Sequence, residues 1–213
     1  MTTAGTTLAS YTGRDKKLDP ARTAVLVVDA QNAEISPEVQ QAHPYFYQTV
    51  QEKALPAMRR LLDGARRAGV EVVYTVIESL TLDGRDRSLD HKLSNMHIPK
   101  GSPLAHVIDE VAPVGDEIVV PKTSSGVFNS TNMDYLLRNL GAENVIVAGF
   151  LTDQCVDMAV RDGADRGYYM ICATDACASY SAERHETALR AFGGYCRLQT
   201  VDEILANLNK DSD

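Results

Sequence analysis

Six short runs of mostly β-branched and aliphatic residues recur along the chain, and stretches with helical periodicity separate them. The runs are TAVLVVDA (23–30), VEVVYTVI (70–77), DEIVVP (116–121), NVIVAGF (144–150), YYMICAT (168–174) and CRLQTV (196–201). Each is bounded by Gly, Pro, Asp or Asn, the mark of short strands. Between them, QEKALPAMRRLLDGARRAG (51–69) places Leu55, Met58, Leu61, Leu62 and Ala65 on one helical face. STNMDYLLRNLG (130–141) closes with Gly141 and SAERHETALRAFGG (181–194) with Gly193, the residue type that most readily ends a helix. Near-continuously apolar strands joined through helices predict a parallel sheet covered on both faces. The expected fold is α/β: three α/β/α layers around a six-stranded, mostly parallel sheet. With 213 residues, 44% of them apolar, one core suffices. A single domain over 21–213 is expected, preceded by an N-terminal arm, 1–20.

In open parallel sheets the ligand sits beyond the carboxyl ends of the strands, where loops and helix N-termini converge. Three residues of complementary chemistry map to that rim. Asp29 ends the first run, Lys122 follows the third, and Cys155, in VIVAGFLTDQCVDMAVRDGADRGY (145–168), opens the helix after the fourth. Each also has a plainer role. A cysteine is by default a small buried apolar side chain, an aspartate at a strand end a cap or turn residue, and a lysine after a strand a solvated cation. Cys155 stands apart from Cys172, Cys177 and Cys196 by its position, since the first turn of a helix and a nearby lysine favour a thiolate. From spacing alone, a catalytic triad and the three plainer roles both remain open.

A formal charge of -8, with 21 Lys and Arg against 29 Asp and Glu, argues against nucleic-acid and anionic-membrane partners. No apolar run approaches the roughly 18 residues of a membrane span, and the Thr-rich start lacks a signal-peptide plan. A cytoplasmic protein with reduced cysteines and a small-molecule partner is expected.

The segments VVDAQN, VVPKTSSGVF and VAGFLTDQCV, in that order and separation, resemble the three signature segments of the isochorismatase-like cysteine hydrolases. The similarity runs from about Thr23 to Leu205. It implies a catalytic triad of Asp29, Lys122 and Cys155, in which Asp29 accepts the thiol proton and Cys155 attacks an amide or ureide carbonyl. It also implies an oxyanion hole from the backbone N–H groups of Leu151 and Cys155, with a cis Phe150–Leu151 peptide. Relatives of the nicotinamidase type add a metal site built from an aspartate and two close histidines. Here His43, His91, His97, His106 and His185 lack that spacing and read as surface or capping residues, so no metal and no cofactor is expected. True isochorismatases lack the cysteine. The usual opening is replaced by DAQNAEI, with Ala33 and Glu34 where the family carries a second acid and an aromatic.

Within the superfamily, YTVIESLTLDGRDRS and PKTSSGVFNSTNMDYLLRNLG are most similar to the branch acting on ureides such as biuret, triuret and ureidoacrylate. Gln31, Glu78, Phe128 and Asn129 are the candidate substrate-binding residues, able to meet the N–H and C=O groups of a small flat ureide. The resemblance further implies a homo-oligomer, dimer or tetramer. Other readings are an N-carbamoyl amino acid or small-carboxamide hydrolase, a silent binding protein on the same scaffold, and a redox-sensing thiol protein. The intact triad speaks against the second of these, and the lack of a resolving cysteine near Cys155 against the third.

Overall fold

The structure is a computed structural model and describes residues 16–208. Most of the expected arm, residues 1–15, lies outside the described residues. Of its remainder, Leu18 is buried in the core and donates its N–H to Asn207 Oδ1 at 3.3 Å.

The strands are β1 (Thr23–Val28), β2 (Glu71–Ile77), β3 (Ile118–Lys122), β4 (Asn144–Phe150), β5 (Tyr169–Ala178) and β6 (Cys196–Gln199). They form one sheet in the order β3-β2-β1-β4-β5-β6, with every pairing parallel. β1 and β4 are neighbours at its centre, where the strand order reverses. The helices are α1 (Pro37–Ala42), α2 (Pro44–Thr49), α3 (Leu55–Arg67), α4 (Leu89–Leu93), α5 (Val127–Ser130), α6 (Met133–Asn139), α7 (Asp157–Asp165), α8 (Ala182–Phe192) and α9 (Val201–Leu208).

Alternation along the central strands divides the core in two. Val25 and Val27 of β1, with Ile146, Ala148 and Phe150 of β4, face α2, α3 and α9 through Phe46, Met58, Leu61, Leu62 and Ile204. Ala24, Leu26 and Val28, with Val145 and Val147, face α5 to α8 through Phe128, Met133, Leu137, Val160 and Phe192. Both faces being covered explains why these strands read as unbroken apolar runs.

Several strand boundaries differ from the sequence reading, among them those of β5 and β6. β5 continues to Ala178, past a register shift against β4 between Val147 and Gly149. Its last residues are small and not β-branched, so they carry no strand signal. β6 ends at Gln199, and Val201 begins α9 rather than closing the strand. Thr200 and Glu203 form a reciprocal cap there: Thr200 N–H donates to Glu203 Oε2 at 2.8 Å, and Glu203 N–H to Thr200 Oγ1 at 3.3 Å.

Gly149 permits the central approach of β1 to β4. Its φ is +127°, and a Cβ there would lie 2.0 Å from the carbonyl oxygen of Val28. Replacing it demands a shift of backbone directly beneath Asp29. Gly149→Ala is therefore expected to destabilise by more than about 3 kcal/mol, whereas Gly167→Ala, equally left-handed but with open space around it, should cost only about 1 kcal/mol. Urea unfolding of both variants checks this, and equal losses would refute it.

Candidate active site

Asp29 leaves β1 with φ +53°, a left-handed conformation that aspartate tolerates better than most residues. Its N–H donates to Thr75 O at 3.0 Å, and its Oδ1 accepts from Thr75 Oγ1 at 3.0 Å, so β2 holds both its backbone and its carboxylate. Lys122 is the last residue of β3, its carbonyl bonded to Glu78 N–H at 3.1 Å. Its ammonium is fully buried and has three neighbours: Asp29 Oδ2 at 2.9 Å, Ser124 O at 2.8 Å and Cys155 Sγ at 3.5 Å. Three N–H donors thus meet three acceptors.

Cys155 lies in a single π-helical turn, Thr152–Val156, that precedes α7. Neighbouring segments fix this turn. Thr152 Oγ1 is 2.8 Å from His185 Nδ1, Asp153 accepts from Ser179 Oγ, and Arg184 pairs with Asp153 Oδ2 through Nη2 at 2.5 Å. The structure therefore brings Asp29, Lys122 and Cys155 together on either side of the point where the strand order reverses. Phe150–Leu151 is cis, as the resemblance implies.

The thiol, however, is not held as a thiolate. Burial pushes the Cys155 pKa up to about 12, the Asp29 carboxylate adds to that rise, and the Lys122 cation only partly offsets it. The expectation of a low-pKa cysteine weighed the helix start and the lysine but not the loss of water, which is the larger effect at a residue only 5% exposed. Lys122 goes the other way. Burial lowers its pKa, but Asp29 and Cys155 together outweigh that and raise it. The resting site is an ion pair beside a neutral thiol, with a carboxylate in hydrogen-bonding reach of the S–H.

The other expected residues separate into distinct environments. Gln31 is fully buried and braces the rim: Nε2 donates to Ile77 O and Leu104 O, both at 3.1 Å, and Oε1 accepts from Ile77 N–H at 2.6 Å. Glu78 is half-buried and accepts from Gly101 N–H at 2.7 Å, tying the end of β2 to the loop 23 residues on. Phe128 is a core residue, stacked on Tyr168 at 5.9 Å beneath the guanidinium of Arg166, whereas Asn129 beside it is exposed.

Among the histidines, His43 caps the α1–α2 junction and stacks on Tyr180 at 3.8 Å. His91 departs from the surface reading. It is buried at 4% exposure on α4, and burial together with the Lys122 cation keeps it neutral by lowering its pKa. Among the described residues no three His, Cys, Asp or Glu side chains come together as a metal set.

Sequence reasoning passed over Glu34 except as a departure from the family pattern. It lies in a 3-10 turn, Asn32–Ile35, and burial, then the Asp29 charge, raise its pKa to about 7, with Lys122 opposing.

A thiol buried against a carboxylate and an ammonium, at the switch point of a doubly wound parallel sheet, defines a cysteine hydrolase. The chain belongs to the isochorismatase family, whose Isochorismatase domain model matches residues 23–203. It is 30% identical over 175 residues to the ureidoacrylate amidohydrolase RutB of Agrobacterium fabrum, covering 75% of this chain and 77% of that protein. N-carbamoylsarcosine amidase of an Arthrobacter species is 28% identical over 171 residues, 78% of this chain and 63% of that protein. Among solved structures, a cysteine hydrolase from Pseudomonas syringae pv. phaseolicola superposes with a TM-score of 0.81 at 26% identity, covering 91% of this chain and 95% of that one. The protein is an amidohydrolase, acting on carbon–nitrogen bonds. No helix among the described residues is long and apolar enough to cross a membrane.

A protonated resting thiol has a direct optical consequence. Between about pH 6 and about pH 9, thiolate absorbance in the far ultraviolet should be the same for wild type and Cys155→Ser. A difference of one thiolate per chain would show that burial does not control this site.

Proposed function

We propose that the protein hydrolyses a C–N bond of a small linear amide or ureide, of the biuret, triuret or ureidoacrylate type, with Cys155 as nucleophile and Asp29 as general base. The observation that carries this reading is the position of Lys122, whose ammonium touches Asp29 at 2.9 Å and Cys155 at 3.5 Å inside a buried site.

The steps follow from the resting charges. As sulfur approaches the carbonyl carbon, the S–H proton passes to Asp29, and Lys122 stays protonated against the anionic sulfur. A thiolate is thus needed only in the transition state, where the ammonium stabilises it most. The negative oxygen of the tetrahedral intermediate is received by the N–H groups of Leu151 and Cys155. Asp29 returns its proton to the departing nitrogen, and ammonia or an amine leaves an S-acyl or S-carbamoyl enzyme. Asp29 then takes a proton from water, the resulting hydroxide attacks the acyl or carbamoyl carbon, and the S–C bond breaks as Asp29 returns the proton to sulfur, releasing the acid and restoring the thiol.

A second reading, hydrolysis of an N-carbamoyl amino acid, is favoured by the similarity to N-carbamoylsarcosine amidase. An ammonia-release screen over biuret, triuret, ureidoacrylate, N-carbamoylsarcosine, nicotinamide and simple carboxamides separates the two.

Cys155→Ser should lower turnover by about four orders of magnitude, with the circular dichroism spectrum unchanged, since a hydroxyl is far harder to ionise. Wild-type enzyme quenched during turnover should carry an acyl or carbamoyl mass on the Cys155 peptide. An adduct on Cys172, Cys177 or Cys196 would overturn the assignment. Asp29→Asn should slow both formation and decay of the adduct, and a variant slowed in formation alone would show that another group activates water.

A further inference from the structure

We infer that Glu34 selects substrates by charge, admitting neutral ureides rich in N–H groups and excluding those that carry a carboxylate. The inference rests on the amide and ureide chemistry proposed above and narrows it, keeping biuret and triuret and setting aside ureidoacrylate, which carries a carboxylate.

The turn that carries Glu34 follows Asp29 directly and is anchored to it, with Gln31 N–H donating to Asp29 O at 2.9 Å. Glu34 N–H donates to Gln31 O at 2.9 Å, Asn32 N–H to His106 O at 2.9 Å, and Asn32 Nδ2 to Pro103 O at 3.2 Å. Gln31 binds the same turn to the end of β2 and to Leu104. The Glu34 carboxyl acts electrostatically with Asp29, Lys122 and the Tyr180 phenol. Tyr180 is itself fixed, stacked on His43 at 3.8 Å, edge-on to Phe46 at 5.4 Å and beneath the Arg184 guanidinium at 5.2 Å. Of the segments packed against the Glu34 turn, Pro103–Ala105 carries no titratable side chain and Pro37–Ala42 carries Glu38, which is exposed.

The balance of charge in this region decides what it accepts. Asp29 and Lys122 neutralise each other, and the Cys155 thiol is uncharged. Arg184, the cation above Tyr180, is paired with Asp153. An ionised Glu34 therefore leaves the neighbourhood of the thiol with one unbalanced negative charge. A ligand carboxylate brought beside it meets a like charge in a poorly solvated site. A ureide NH2 or imide N–H instead donates a charge-assisted hydrogen bond to it. The two relatives named above take their names from ureidoacrylate and N-carbamoylsarcosine, both carboxylate-bearing compounds. Glu34 would turn this chain away from such substrates.

Two alkylating reagents of similar shape, one neutral and one anionic, test this without reference to any substrate. Cys155 modification by iodoacetamide and by iodoacetate is followed by peptide mass spectrometry in wild type, Glu34→Gln and Glu34→Asp. At about pH 9, where Glu34 is ionised, Glu34→Gln should raise the iodoacetate-to-iodoacetamide rate ratio about tenfold or more, whereas Glu34→Asp, which keeps the charge, should hold it near wild type. In wild type the ratio should also rise as pH falls through about 7, where Glu34 takes up its proton, and this dependence should vanish in Glu34→Gln. Should Glu34→Gln fail to fold, the wild-type pH dependence and Glu34→Asp still decide. A parallel kinetic arm compares kcat/KM for biuret with that for N-carbamoylsarcosine and expects the same shift toward the anion in Glu34→Gln. An unchanged alkylation ratio, with biuret still hydrolysed, would overturn the role of Glu34 alone. A shifted ratio with no ureide hydrolysed would instead overturn the proposed substrate and leave charge selection standing.

Discussion

Everything at the carboxyl edge of the sheet is arranged around one buried ion pair, Lys122 with Asp29. At 2.9 Å their attraction is on the order of 6 kcal/mol at an effective dielectric of about 20. Removing each ion from water costs several kcal/mol, so as a source of stability the pair roughly breaks even. The surrounding hydrogen bonds make it tolerable. Thr75 donates to the free side of the carboxylate, Ser124 O accepts from the ammonium, and the Cys155 sulfur occupies the third donor direction. Two strand ends and a helical turn from separate parts of the chain must converge for this to hold. The pair therefore ties folding of the sheet centre to assembly of the reacting groups.

The same pair governs the thiol. A helix start and a lysine are commonly enough to ionise a cysteine, but both act here across a site from which water is largely gone. The nearby carboxylate cancels most of the benefit of the ammonium. A neutral thiol beside a ready base has its own advantage. In the proposed mechanism the nucleophile is not trapped as a stable anion in the ground state, and the positive charge of Lys122 becomes useful when the proton moves and sulfur gains charge. Neutral His91 on α4 fits this arrangement, since a second buried cation beside Lys122 would compete for the single carboxylate.

What was legible in the sequence was whatever a local pattern or a strand end encodes. The six strands appear as apolar runs because both faces of the sheet are covered, and Asp29, Lys122 and Cys155 stand out because their positions follow those runs. Long-range partners were not legible. Nothing local says that Gln31 would bond to Ile77 and Leu104, that Phe128 would turn under Arg166 into the core, or that His91 would be buried. These depend on how loops 46 or 73 residues apart pack together. The α9 start was readable in principle, from the Thr200–Glu203 cap, but a β-branched Val201 made the preceding strand seem one turn longer.

Glu34 shows why a departure from a family pattern can carry more information than agreement with it. An aromatic residue at that position would close the pocket by packing and leave its electrostatics to the triad. A carboxyl group in the same place joins the triad's charge balance, because burial and Asp29 hold its pKa at about 7 while Lys122 pulls it down only in part. The ammonium cannot neutralise two carboxylates at once, being already engaged by Asp29, Ser124 O and Cys155. On the inference drawn above, Glu34 is the member of the group whose charge responds to the ligand. Polar N–H groups favour its ionised form and an incoming anion favours its protonated one. In the proposed mechanism the triad supplies a chemistry common to many amides, and the inferred role of Glu34 is to set which of them can approach.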